Sequence, residues 1–295
     1  MLVARQSSTE AGDSTERNGC RQRDGSTVGA VFFRLSEWQL ALILFALVFG
    51  ITVCGLLVGH YLRHHVETLR ESFGVLQAAL LGLVGLILAF GLSLALGRYE
   101  DRRAAVVADA NSIGTAYLRA QTLPDPVRSR SLPLFVKYTD TAIRLADAVP
   151  GTTAQARAVA DGGVLQRRLW RLAGQSLNDQ PVASAPRLYL DSLNNMIDQQ
   201  TVHVSALNNR VPGAVLALEV LGASVALGLL AVYLGILGRG TIPVLLASAL
   251  VTLLLLVTFD LDRPTRGLIR VPATPLTTLR ASMLLPPAAS GAPHP

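Results

Sequence analysis

Lysine is nearly absent from this chain. Lys137 is the only one, so arginine carries almost all of the positive charge behind the formal +6 of the 295 residues. A nucleic-acid binder would gather its basic residues into patches interleaved with aromatics. Here aromatics make up 5% of the chain, and the arginines are spread along helical segments and at the ends of apolar runs, so no nucleic-acid partner is expected. Cysteine is equally scarce. Cys20 lies in a polar tail and Cys54 inside an apolar run, which excludes a disulfide framework and any C-x-x-C redox or metal motif. There is no H-E-x-x-H, no Gly-rich phosphate loop and no nucleophile–base pairing. The sequence therefore supports neither an enzyme nor a bound cofactor. Strand-like alternation is missing from the long polar middle of the chain, which points to an all-α fold.

What the chain has instead is apolar residue in bulk. Hydrophobic residues are 51% and charged residues only 16%, and the excess is gathered into a few runs, the pattern of a membrane protein. Residues 1–35 hold five arginines and four acids among Ser, Thr and Gly, and read as a disordered tail. The first apolar run starts too late for a signal peptide. About 20 apolar residues cross ~30 Å of hydrocarbon, and four stretches are long enough, at 40–59, 74–97, 212–237 and 242–259. Ser36 and Gln39 have capping-box spacing before the first, and Trp38 suits the interfacial belt. Glycines 82, 85, 91 and 97 in the second run predict close helix contact there.

Between the second and third runs lies a polar insert, residues 98–210, that reads as helices throughout. Pro124 and Pro126 end its first piece. A second piece presents Leu134, Tyr138, Thr141 and Leu145 on one face. A third covers about 154–177, and a fourth begins at Pro186 and repeats Leu193, Ile197, Val204 and Leu207. The whole domain is expected over 36–282, followed by a second disordered tail at 283–295. Four spans put the insert and both ends of the chain on one side. Arg98, Arg102, Arg103, Arg210, Arg263, Arg266 and Arg270 flank the spans there, against Arg63, Arg70 and Arg239 on the other. The positive-inside rule makes the first side cytoplasmic, in a multi-pass protein of the cell inner membrane.

The second run does not stop at the membrane. "FGLSLALGRYEDRRAAVVADANSIGTAYLRAQTLP" turns densely charged at Arg98 but has no proline before Pro124, which predicts one helix running from the bilayer into the cytoplasm. At 100° per residue Arg98, Arg102 and Asp109 share one line, while Asn111, Thr115 and Arg119 form a second polar row. Val106, Ala110, Ile113 and Tyr117 give an apolar stripe between the rows. Such a helix needs neighbours on several sides and reads as a strut within a bundle.

The same stretch, with "LNNMID" and "FDLDRPTRGLIRV", resembles the bacterial bestrophin-like membrane proteins over roughly residues 40–282. The resemblance implies a homo-oligomer, a pentamer in the bestrophin anion channels, with ions passing along an axis lined by the second span. It also makes Phe90 a candidate for the narrow neck, and Arg98, Arg102 and Arg103 candidates for the pore mouth. Calcium-gated bestrophins carry a longer acidic run after the last span, where only Asp260 and Asp262 stand here. Two carboxylates fall short of the six to eight oxygens that Ca²⁺ prefers. The competing class is a membrane-anchored helical scaffold for a cytoplasmic protein. A transporter built on Glu219 is less favoured, since no inverted repeat relates the two span pairs.

Two further groups have a plain and a sharper reading. Asp260, Asp262 and Arg263, where the fourth span leaves the bilayer, read as an ion-pair cluster with Arg98 or Arg102, and alternatively as a gate or cation site. Glu219 is the only acid well inside a span, and an ionisable group there is a functional candidate by default. His60, His64 and His65 offer an i, i+4 pair, but with only Glu67 and Glu71 nearby they read as interfacial histidines and not as a metal site. Asn194, Asn195 and Asp198, ahead of the third span, read as hydrogen-bonding groups of the bundle or the lining of a vestibule.

Overall fold

The computed structural model describes residues 37–63, 70–238, 241–263 and 267–288, and among these every regular element is helical. In chain order the helices are α1 (Glu37–Leu62), α2 (Arg70–Gln121), α3 (Val127–Asp147), α4 (Thr153–Asp179), α5 (Ser184–Asn208), α6 (Gly213–Leu237), α7 (Thr241–Leu261) and α8 (Thr274–Ser282). Ser36, His64, His65, Glu67, Arg239 and Arg266 lie outside the described residues, as do the two tails apart from residues 283–288, and so does the Ser36 capping box.

Four of the helical segments are long and apolar enough to cross a membrane. Their exteriors are greasy: Leu42, Leu57, Leu83, Leu221, Leu246 and Leu250 all point outward. That arrangement is unfavourable in water and natural in hydrocarbon, where no hydrophobic penalty attaches to an exposed leucine. Three threonine hydroxyls in this half are satisfied within their own helix. The hydroxyls of Thr52, Thr252 and Thr258 donate to the carbonyls of Val48, Ser248 and Leu254, four residues back.

α2 is a single helix of 52 residues, which at ~1.5 Å per residue is about 78 Å long. Its first half belongs to an apolar core in which Val84, Leu88 and Ala95 meet Leu40, Leu44 and Val48 of α1, Leu216, Ala223 and Leu227 of α6, and Leu255 and Phe259 of α7. Its second half belongs to another core, where Val106, Ile113 and Tyr117 pack with Phe135 and Tyr138 of α3, Leu169 of α4, and Tyr189, Leu193 and Met196 of α5. Phe135, Tyr138 and Tyr189 are fully buried there, each contributing about 1.5–3 kcal/mol by area alone.

Of the four glycines expected to make close helix contact, Gly91 does, against Glu219 of α6. No neighbour lies near enough to crowd a side chain at Gly82, Gly85 or Gly97. The tight seam is between α1 and α6. A Cβ on Gly55 would come within 2.6 Å of the Gly228 carbonyl, one on Gly235 within 2.8 Å of the Leu56 carbonyl, and one on Gly59 would overlap the Val232 carbonyl. Gly238 then ends α6 in the left-handed conformation (φ 65°), where a Cβ is disfavoured.

The insert forms the polar half of the molecule, built from α3, α4, α5 and the second part of α2. α8 folds back onto it. Leu276 is buried, Met283 accepts a hydrogen bond from the Tyr117 hydroxyl through its carbonyl, and Arg280 pairs with Asp140 at 2.7 Å. This helix and the Met283 that follows it are therefore packed onto the bundle.

Candidate functional site at the junction of the two halves

Of the α2 line, Arg102 and Asp109 face the rest of the protein, while Arg98 is half-buried at the border of the uncovered face. Arg102 is 1% exposed and is the hub of the junction. Its Nη1 donates to the Leu261 carbonyl at the end of α7 (3.0 Å). Its Nη2 donates to the Asn209 carbonyl just past α5 (2.9 Å), and its Nε to the Ala206 carbonyl (3.4 Å). These carbonyls sit at helix C-termini, where the backbone leaves acceptors unfilled and a cation is favoured. Asp262 completes the hub, 3.6 Å from Nη2, while its Oδ1 accepts the Val211 N–H at 2.9 Å. Burial pushes the Asp262 carboxyl above the usual aspartate range, and the Val211 N–H, Arg102 and Arg210 draw it back down.

Asp260 has a different task from the one its sequence position suggested. Its two oxygens accept the backbone N–H groups of Leu268 and Ile269, each at 2.9 Å. Gly267 lets the loop come this close, since a Cβ there would sit 2.5 Å from Oδ1. Asp260 thus anchors the 267–269 loop and pairs with neither Arg98 nor Arg102. Arg263 is buried and, with Asp260, lines an apolar groove bordered by Trp38, Leu40, Leu256 and Ile269. The start of α1 is therefore at the same end of the molecule as the end of α7.

Seven residues beyond Arg102, Asp109 makes a second buried polar contact. Its Oδ2 is 2.9 Å from Nδ1 of His203 on α5, and both side chains are fully buried. Close by, Gln166 of α4 donates to the Tyr138 hydroxyl (3.0 Å) and to the Gln200 side chain. Burial and the Asp109 charge together raise the Tyr138 phenol above its ordinary range. His203 was not anticipated. The signal for it is its phase on α5, one turn after Gln200 and one before Leu207 on the buried face.

The opposite face of α2 is uncovered. Phe90 is 68% exposed and, with Ser93, Leu94, Gly97, Arg98 and Asp101, lines a shallow depression. Arg98 is half-buried with no acidic partner among the described residues, and Arg103 is exposed. Further along, Thr115 and Arg119 of α2 and Asp191, Asn194, Asn195 and Asp198 of α5 line an open polar pocket, with Arg119 and Asp191 paired at 3.2 Å. Glu219 is distant from this cluster, buried between α6 and α2. His60 is exposed, and the described residues contain no group of three or more metal-ligating side chains.

A bestrophin-like domain model matches residues 40–276. The chain belongs to the bestrophin-like family. No curated protein matches it. Among solved structures, a bacterial bestrophin homologue from Klebsiella pneumoniae, solved by zinc phasing, is 14% identical with a TM-score of 0.61. The alignment covers 82% of this chain and 97% of that one. A single-site variant of the same homologue gives a TM-score of 0.61 at 14% identity, covering 80% and 97%. At this identity the likeness is one of fold, an all-helical one.

Proposed function

We propose that this bestrophin-like protein is a homo-oligomeric ion channel of the inner membrane, with α2 lining the axis and the polar bundle and both termini in the cytoplasm. The observation that carries the reading is the bare face of α2. Leu86, Phe90, Leu94, Gly97, Asp101, Ala104, Asn111, Thr115 and Leu118 follow one another at helical spacing, and every one is exposed. The line runs unbroken along both halves of α2, the continuity expected of a surface shared by copies of the chain around an axis. Membership of the bestrophin-like family supports the same arrangement, with five copies as in the bestrophin channels.

Phe90 is then the apolar neck. At 100° per residue Arg98 lies about 60° and Arg103 about 160° from Asp101 of this line. Arg98 therefore borders the cytoplasmic mouth and carries any preference for anions. Arg102 has no such part, because its charge is spent on Asp262 and three carbonyls. Glu100 and Asp101 are exposed beside Arg98 and set the limit of the preference.

The test is the size of the purified protein in mild detergent together with current recording in a planar bilayer. A multimer that conducts, with a reversal potential displaced toward cation preference by Arg98→Glu, supports the proposal. A monomer, or a multimer silent at every voltage, overturns it and leaves the scaffold reading. A periplasm-active phosphatase fused after His65 should be active and after Gly151 or Ala281 silent. Activity at Gly151 overturns the topology.

A further inference from the structure

Glu219 is 0% exposed, and neither of its carboxyl oxygens has a hydrogen-bond partner among the described residues. The carboxyl group lies against α2 at Gly91, where even a methyl group would overlap it. The surroundings are apolar. Val84, Leu88 and Ala95 of α2 and Leu216 and Ala223 of α6 belong to the same core, and Gly222 of α6 faces Val84.

No charge stands beside this carboxyl group. On α2 the first charged residue past Gly91 is Arg98, seven positions or about 10 Å along the axis. Before Gly91 the nearest titratable side chain belongs to that helix's first turn, Glu71. α1 carries Glu37 at one end, His60 and Tyr61 at the other and the exposed Cys54 between them, and α7 carries only Asp260, one residue before its end. On α6 itself the other titratable group is Tyr233, which contacts α2 at Gly74, far from Gly91. A carboxylate stripped of water, with neither donor nor counter-charge, is the costliest state this side chain can take. The neutral acid is the state the site can hold.

We infer that Glu219 and Gly91 form a proton-binding site, in which the neutral acid seats α6 against α2. Releasing the proton breaks the O–H bond, passes H⁺ to water and leaves a bare negative charge inside the seam, so that the contact between α6 and α2 responds to pH. The site is independent of whether the protein conducts, and it is read without any current.

The experiment is infrared spectroscopy of the purified protein in lipid at neutral pH. The carbonyl stretch of a neutral carboxylic acid is well separated from the bands of a carboxylate. Expected is such a band that moves when the protein is grown on ¹³C-labelled glutamate and is lost in Glu219→Gln. If that variant does not fold, the label on the wild-type protein decides, because the glutamates in water are ionised at this pH. Absence of a label-sensitive neutral band overturns the inference, and so does a band that survives in folded Glu219→Gln.

Discussion

Removing the Asp262 carboxylate should be among the most damaging single changes to this protein. In Asp262→Ala the Arg102 guanidinium keeps its three carbonyl acceptors at 2.9–3.4 Å but loses its counter-charge at 3.6 Å, while the Val211 N–H loses its acceptor. Breaking a buried pair by removing one partner costs about 3–5 kcal/mol, a large part of the ~5–15 kcal/mol that keeps a domain folded. For a domain of this size that corresponds to a drop of roughly 10 °C in melting temperature, measured in detergent by the loss of the monodisperse peak on heating. Arg102→Met should cost a similar amount, since it strips the carbonyls of Leu261, Asn209 and Ala206 of their donor. The exchange Arg102→Asp with Asp262→Arg should not rescue either, because an aspartate at 102 has no N–H to offer three carbonyls. An Asp262→Ala protein that melts within about 1 °C of wild type would refute the hub. Full rescue by the exchange would show that Coulomb attraction alone, and not the capping of two helix ends, is what matters.

Other consequences are open to measurement. Gly59→Val places a side chain on the Val232 carbonyl. With backbone on the other side nothing can yield cheaply, so folded protein should be lost at a cost of about 1–3 kcal/mol or more, whereas Gly82→Val, facing open space, should express normally. Asp260→Ala removes the acceptor of two backbone N–H groups, about 1.5–3 kcal/mol each for bonds to a charged group. Its local signature should be faster protease cleavage around Gly267 with the helices still intact. Burial pushes the Tyr189 phenol up to about 12. The folded state then holds this proton more tightly than the unfolded one, so the stabilisation is complete below ~10 and is lost as pH rises toward about 12. Tyr189→Phe should flatten that alkaline loss in a pH series of melting temperatures.

The long rod was legible in the sequence because nothing interrupts helical phase between the apolar run and Pro124, and α2 indeed runs to Gln121. The inward line of Arg102 and Asp109 was legible for the same reason. Which acid would meet Arg102 was not. Asp260 and Asp262 differ by two positions, and α7 ends at Leu261, so helical phase no longer tells where the second of them points. The glycine seam depended on a partner that one helix cannot reveal. Still, Gly55 and Gly59 have small-xxx-small spacing in the first run, a signal as strong as those in the second. α8 is a nine-residue helix, too short for its pattern to stand out, and Pro275 in its first turn marks its start. Glu219 stood out as a lone acid, but its seat at Gly91 arises from packing two helices more than a hundred residues apart in sequence.

The two buried polar contacts of α2 also bear on how the halves of the molecule move. Arg102 grips the end of α5 through Ala206 and Asn209, and Asp109 grips the same helix one turn earlier through His203. Two directional contacts, about two turns apart on α2, fix both the register and the rotation of α5 on α2, where apolar packing alone would leave sliding less restrained. Arg102 in addition ties this pair to the end of α7. The apolar and polar halves are therefore joined by side chains across helix ends as well as by the continuous backbone of α2. A force on the polar bundle has no soft loop to absorb it at this point. Displacement of α5 must then carry α2 with it, and with α2 the uncovered face that runs from Leu86 to Leu118.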